Sequence, residues 1–342
     1  MANLPFISLA DAEPPFYAGI DLGGTNIKCG IVDNRGRPLS YLTTQTCIEL
    51  GPEQGAQRMA EATGQAALDA GLKMSQIARV GLATPGTMDI PRGILLNPVN
   101  LPGWENFPIR DRVAQHTGRP VAYANDANAA AYGEFWVGSG VHHCSMIMLT
   151  LGTGVGGGII VDGHTIDGEN SHGSECGHII VDSRDDARLC SCGHTGHLEA
   201  YASATSVARR TQEALSSGHP SSLNRCQEEG LEVTALRVHQ AAESGDELAL
   251  EIILETARYL GIGITTLLHT IDPAAVVLGG AMNFGGVENR IGKRFLEAVR
   301  QEVARRAFPV ISAHVQIGFA SLGGNAGYIG AAGIAKKQEE LS

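Results

Sequence analysis

Positive charge is what this sequence has least of. Its 342 residues carry 25 Lys and Arg against 36 Asp and Glu, a formal net charge of −11, and no basic run. Nothing in it would release counterions from a phosphate backbone, which argues against nucleic acid or an anionic membrane surface as partner. An anionic substrate would need local help. Apolar runs of membrane-spanning length are also lacking, and residues 1–16 have no basic n-region or apolar core of a signal peptide. Those residues read as a short mobile leader, too short for a DNA-binding domain. The seven cysteines are an odd number, which suits free or metal-bound thiols in a reducing cytoplasm rather than a disulfide framework. Low-complexity segments and short repeats are missing too. What is present is length for two cores, because single cores stop growing at about 250–300 residues.

Residues 172–199 stand out. Glu175, His178, Cys190, Cys192, His197 and Glu199 set two thiols and two imidazoles between carboxylates, in a stretch too rich in Gly and polar residues to fold on apolar burial. Two Cys and two His make a tetrahedral zinc set of the structural kind, with no position left for water. The plain alternative is a surface loop with accidental cysteines. His194 is a rival fourth ligand to His197.

Tyr17–Ile20 leads as a strand into Asp21-Leu-Gly-Gly-Thr-Asn-Ile-Lys28 and out through a second strand, a hairpin with a glycine-rich bend. Gly23 and Gly24 let backbone N–H groups approach an anion, and Asp21 and Thr25 suit a hydrated Mg²⁺; a simple tight turn is the other reading. A helix over residues 53–70 and a strand over Ala78–Ala83 give αβ alternation. The long loop Asn97–Trp104 offers Asn100 and Trp104 as functional candidates. Val121–Ala124 is a strand ending at Asn125-Asp126, beside the N-terminus of an Ala-rich helix over Ala127–Trp136. Open α/β sheets bind ligands at such strand ends, although Asp126 could serve only as an N-cap.

Met146–Gly152 and the bend Gly152-Thr-Gly-Val-Gly-Gly-Gly158 repeat the first hairpin, which suggests two duplicated lobes, each offering a glycine-rich hairpin to a shared cleft. The Gly152, Gly154, Gly157 match to a dinucleotide fingerprint is a decoy, because a β-branched strand and not a helix follows. Helices are expected over 204–215, 234–243, 246–269, 287–306 and 326–337, and strands over 274–280 and 314–319. Gly279-Gly280 ends the first of these strands, as a nucleotide floor or as a plain turn.

Two phosphate-cradling bends, an Asp at a strand end and Asn and Glu groups suited to a polyol form the inventory of a phosphotransferase. On these motifs the sequence resembles a sugar kinase of the ROK family, in the sugar kinase and actin-like superfamily, from Tyr17 to the last helix. Asp21-Leu-Gly-Gly-Thr, Asn125-Asp126, Gly152-Thr-Gly-Val-Gly-Gly-Gly, Glu175-Cys-Gly-His178 and Cys190-Ser-Cys-Gly-His-Thr-Gly-His-Leu-Glu199 carry the likeness.

The resemblance implies an α/β fold of two ribonuclease-H-like (actin-like ATPase) lobes around a central cleft. Residues 17–133, joined by the C-terminal helix 326–342, would form one lobe, and 134–325 with the zinc loop the other. It implies Asp126 as general base, and Gly86, Asn100, Asn125, Glu175, His178 and Glu199 around the sugar. ATP with Mg²⁺ would meet Asp21, Gly23, Gly24, Thr25, Asn26, Lys28, Gly152, Thr153, Gly154, Gly156, Gly279 and Gly280. Structural zinc would sit on His178, Cys190, Cys192 and position 197, where the family pattern has Cys. Cys176, at a position usually apolar, reads as a small buried hydrophobe. The activity implied is hexose phosphorylation, glucose at its 6-hydroxyl being favoured over N-acetylglucosamine or N-acetylmannosamine. Polyphosphate is a rival donor, and a homodimer or dimer of dimers is expected. Rival classes are a sugar-sensing repressor body, a zinc hydrolase and a nicotinamide dehydrogenase.

Overall fold

The computed structural model describes residues 5–98 and 100–341. The strands are β1 (Phe16–Leu22), β2 (Asn26–Val32), β3 (Pro38–Gln45), β4 (Ile77–Thr84), β5 (Thr87–Asp89), β6 (Ile94–Asn97), β7 (Val121–Asn125), β8 (Met146–Leu151), β9 (Val155–Val161), β10 (His164–Thr165), β11 (Ala275–Gly279) and β12 (Gln316–Phe319). The helices are α1 (Gly51–Asp69), α2 (Ile109–Thr117), α3 (Asp126–Val137), α4 (Glu199–Ala202), α5 (Ala204–Ser216), α6 (Asn224–Glu228), α7 (Ala235–Glu243), α8 (Glu247–Ile271), α9 (Arg290–Arg306), α10 (Pro309–His314) and α11 (Ala326–Glu340). One sheet has the order β3-β2-β1-β4-β7 and another β10-β9-β8-β11-β12. Each runs third, second, first, fourth and fifth in its own chain order, so the repeat seen in the glycine bends extends to topology.

By compactness the described residues fall into two units, one within Met1–Cys144, Gly158–Ser174 and Ser321–Ser342, the other within Ser145–Gly157 and Glu175–Ala320. A division after residue 133 would cut α3, which continues to Val137 and caps its last turn when Gly138 N–H donates to Glu134 O.

In the first unit β1 is central. It pairs antiparallel with β2 and parallel with β4, and both its faces are covered, which explains its nearly unbroken burial. Ala18, Ile20 and Leu22 join Met59 and Ala66 of α1 in one core, while Tyr17 joins Tyr328, Ile329 and Ala332 of α11 in another. Side chains alternate along a strand, so Asp21 shares the α11 face with Tyr17 and Gly19.

Helix α11 lies unusually close to the sheet. A Cβ at Gly19 would stand 1.8 Å from Tyr328 O, one at Gly81 1.8 Å from Ala331 O, and one at Gly330 1.6 Å from Ala129 O of α3. The small residues of α11 therefore reflect close packing of backbone on backbone.

Residues 5–15 do not behave as the free leader expected. Ile7 N–H donates to Pro38 O at 2.9 Å, Ile7 and Ala12 pack on the first core, and Glu13 N–H donates to the fully buried Asp33 carboxylate at 3.1 Å. Trp104 is a second correction. It is fully buried, its ring fills the space a Cβ at Gly55 would occupy, and it belongs to the core rather than to a site.

Gly→Ala inside a helix ordinarily stabilises by about 1 kcal/mol. Gly330→Ala should instead destabilise by about 1–3 kcal/mol through overpacking. A lower urea midpoint at unchanged slope checks this, and a rise in midpoint would contradict the packing described.

Candidate active site and metal cluster

The parallel strands of the first unit bring its candidates to one edge. Asp21 pairs in register with Ala83 of β4, and Thr84 with Asn125 of β7. Asp21, the turn Thr84-Pro85-Gly86 and Asn125-Asp126 thus line the carboxyl ends of adjacent strands, where open α/β sheets place ligands. Lys28, opposite Asp21 across the hairpin, pairs with its carboxylate at 3.2 Å. Gly327, in the first turn of α11, leaves room for that carboxylate, for a Cβ there would stand 2.6 Å from Asp21 Oδ2.

Asn125, not Asp126, caps α3. Its Oδ1 accepts from Ala127 N–H at 2.9 Å and Asn128 N–H at 3.3 Å, so only its amide N–H groups remain for a ligand. Asp126 is the first helical residue, half-buried, and its Oδ1 accepts from Ala127 N–H at 2.8 Å.

The first bend closes by Gly23 N–H donating to Asn26 O at 2.9 Å. Neither Gly23 nor Gly24 has positive φ. Asn100 O would lie 3.0 Å from a Cβ at Gly24, a close approach that sets Asn100 against the bend. Thr25 and Asn26 are exposed. Gly86 combines a φ of +89° with Pro98 Cα 2.6 Å from where its Cβ would stand, so this turn holds the same loop from the other side.

In the second unit, β11 runs parallel to β8 with Gly279 beside Thr150. Gly280 has a φ of +88° and a Cβ there would meet Leu151 O at 2.3 Å; packing accounts for this glycine without a ligand. The bend after β8 is held by Gly152 N–H to Gly154 O at 3.0 Å, and β9 follows it, which disposes of the dinucleotide fingerprint. The turn Cys176–His178 after the exposed Glu175 packs on β9, since a Cβ at Gly177 would be 2.0 Å from Val155 O. Cys176 is buried as expected, and burial pushes its thiol up to about 12.

His178, Cys190, Cys192 and His197 converge, with ligand atoms all within 4.8 Å of one another. His178 Nδ1 lies 3.3 Å from His197 Nδ1 and 3.8 Å from Cys190 Sγ, and Cys192 Sγ lies 3.2 Å from His197 Nδ1. Tetrahedral zinc, with bonds of about 2.0 Å to nitrogen and 2.3 Å to sulfur, sets such edges at about 3.3–3.8 Å, so the donor set fits that ion. Desolvation lowers the pKa of His197, with help from His178, which favours the neutral ring that binds metals. His194 stays outside the cluster. Its ring centroid is 6.2 Å from that of His197, and its carbonyl accepts from Cys190 N–H at 2.8 Å.

Sequence reading missed the partners of Glu199. Oε2 accepts from Val155 N–H at 3.0 Å, and Oε1 from Ser191 Oγ at 2.5 Å, with Cys190 Sγ at 3.6 Å. A Cβ at Gly154 would lie 2.3 Å from Oε2. The only signal for these contacts was the serine between the two cysteines.

The family model of the ROK family matches residues 17–338. The chain belongs to the ROK family. It is 34% identical over 324 residues to a glucokinase of Halalkalibacterium halodurans, covering 95% of this chain and 96% of that protein. It superposes on a ROK hexokinase from Thermus thermophilus with a TM-score of 0.81 at 34% identity, over 96% of this chain and 100% of that one. A ROK family glucokinase from Streptomyces griseus, in complex with glucose and AMPPNP, gives 0.73 at 33% identity over 94% and 99%. The two-lobe actin-like fold is thereby this chain's ROK fold.

Purified protein should carry one zinc per chain. His197→Ala should lose it and His194→Ala retain it, as read by elemental analysis; the reverse pattern would reassign the fourth ligand.

Proposed function

We propose that this ROK protein is an ATP-dependent hexose kinase, a glucokinase that transfers the γ-phosphoryl group to the 6-hydroxyl of glucose. The observation that carries the reading is Asp126, a half-buried carboxylate at the carboxyl edge of the parallel strands, in the first turn of the helix that Asn125 caps. Likeness over nearly the whole chain to a glucokinase and to ROK hexokinase and glucokinase structures supports the substrate and donor classes.

In this mechanism Asp126 accepts the proton of the 6-hydroxyl as the oxygen attacks the γ-phosphorus, whose bond to the β–γ bridging oxygen breaks to release ADP. Gly86, Asn100, the Asn125 amide, Glu175, His178 through Nε2, and Glu199 hold the sugar. Both Glu199 oxygens already accept protein donors, yet an ionised carboxylate offers about four acceptor positions, so a sugar hydroxyl can be added. The bends at Gly23, Gly24 and Thr25 and at Gly152, Thr153, Gly154 and Gly156 receive the phosphates, with Asn26 and Lys28 beside the first and Gly279-Gly280 beside the second. Asp21 and Thr25 suit Mg²⁺, an oxygen-seeking ion that keeps much of its water. Bound Mg²⁺ would neutralise charge building on the phosphates. His178, Cys190, Cys192 and His197 would hold zinc, which orders the loop and takes no part in the chemistry.

A cytoplasmic homodimer or homotetramer completes the proposal. Among the described residues no helix is long and apolar enough to cross a membrane.

Asp126→Ala should lower kcat by roughly 10²- to 10⁴-fold with the circular dichroism spectrum unchanged. Near-normal turnover would remove Asp126 as base. ADP release measured across glucose, mannose, fructose and N-acetylated hexosamines should favour glucose. Preference for an N-acetylhexosamine would move the substrate, and silence with every sugar would overturn the kinase reading.

A further inference from the structure

Segment 199–205 holds the second glycine bend at three points. Glu199 Oε2 accepts from Val155 N–H at 3.0 Å, Ala204 N–H donates to Gly152 O at 2.8 Å, and Thr205 Oγ1 donates to Thr153 O at 2.8 Å. Two residues upstream is His197, a member of the metal cluster. A second path reaches the same carboxylate, for Ser191, between the two cysteine ligands, donates its hydroxyl to Glu199 Oε1 at 2.5 Å. The Ser191 hydroxyl thus ties the Glu199 carboxylate to the metal loop.

We infer that Ser191 and Glu199 form a strut between the metal loop and the phosphate bend, so that the loop sets affinity for the nucleotide and not for the sugar alone. Ser191 is a positioning residue in this scheme. It is exposed, and it acts by fixing which way the Glu199 carboxylate turns. The Val155 N–H then stays bound, and the N–H groups of Thr153 and Gly154 keep their directions. The inference rests on the kinase reading, in which this bend receives the phosphates of ATP.

The test titrates Mg·AMPPNP, without sugar, into the full-length zinc-loaded protein, wild type and Ser191→Ala, by calorimetry. Zinc content and steady-state kinetics are measured on the same samples. Ser191→Ala should keep full zinc yet bind the analogue roughly three- to tenfold more weakly, the order expected for one ordinary hydrogen bond. Its KM for ATP should rise by a similar factor at unchanged kcat. Ser191→Thr, which keeps the hydroxyl, should restore wild-type binding. Ser191→Ala binding as tightly as wild type, while both phosphorylate glucose, would overturn the strut and leave the kinase reading standing. Failure of the wild type to bind the analogue or to phosphorylate any hexose would overturn both.

Discussion

The convergence of His178, Cys190, Cys192 and His197 is the constraint on which the second unit's site depends. The stretch that carries them has little apolar surface to bury, its buried positions being Cys176, Gly177, Ala187, Cys190, Gly196 and Leu198, most of them small. Order there comes from polar contacts, to which a metal on the four ligand residues would add. Charge would favour a histidine at 197 in a cluster that binds a divalent ion. Two thiolates and two neutral imidazoles around a divalent ion make a neutral centre, whereas a third thiolate would leave one negative charge near Glu199, whose Oε1 is 3.6 Å from Cys190 Sγ. Like charges about 4 Å apart near a surface repel by about 4 kcal/mol. Imidazole at 197 would avoid adding that negative charge while keeping four ligands.

The first unit reaches its geometry by a different device, the removal of side chains. Gly19, Gly81 and Gly330 let α11 touch β1, β4 and α3 backbone to backbone. That approach seats the first turn of α11 against Asp21, with Gly327 leaving room for the carboxylate. The helix that closes the chain thereby helps fix a group near its beginning. Strand register does the rest, carrying alignment from Asp21 through Ala83 and Thr84 to Asn125.

What was legible in the sequence was periodic or compact. The hairpin at Asp21–Lys28, the helix after Asn125 and the long helix α8 follow from alternation and 3.6-residue spacing, and the ligand set from Cys-x-Cys and nearby histidines. Features that depend on partners distant in sequence were not legible. Trp104 looked like a loop residue until Gly55 made a socket for it. Asn125 and Asp126 are adjacent and both can cap a helix, so only backbone dihedrals decide between them. Residues 5–15 looked free because their anchors, Pro38 O and the Asp33 carboxylate, lie beyond the first hairpin. Glu199 carried a sugar-binding signature but not its bond to Val155, 44 residues away.

The charge balance narrows how such a protein can hold a nucleotide. With a net charge of −11, the field of the whole molecule repels ATP, and Lys28, two residues beyond the first bend, is already paired with Asp21. Long-range attraction is therefore a poor source of affinity, and short-range N–H donors must supply it, with Mg²⁺ offsetting part of the phosphate charge. The bends do not offer all their donors, since Gly23, Gly152 and Val155 spend theirs inside the protein. A few N–H groups must then be well aimed, and aim is what backbone clamps provide: Thr46 Oγ1 on Gly23 O at the first bend, and Glu199, Ala204 and Thr205 at the second. Fixed dipoles of this kind need no reorganisation when the phosphate arrives, so in an acidic protein rigidity of the bends does what surface lysines do in a basic one.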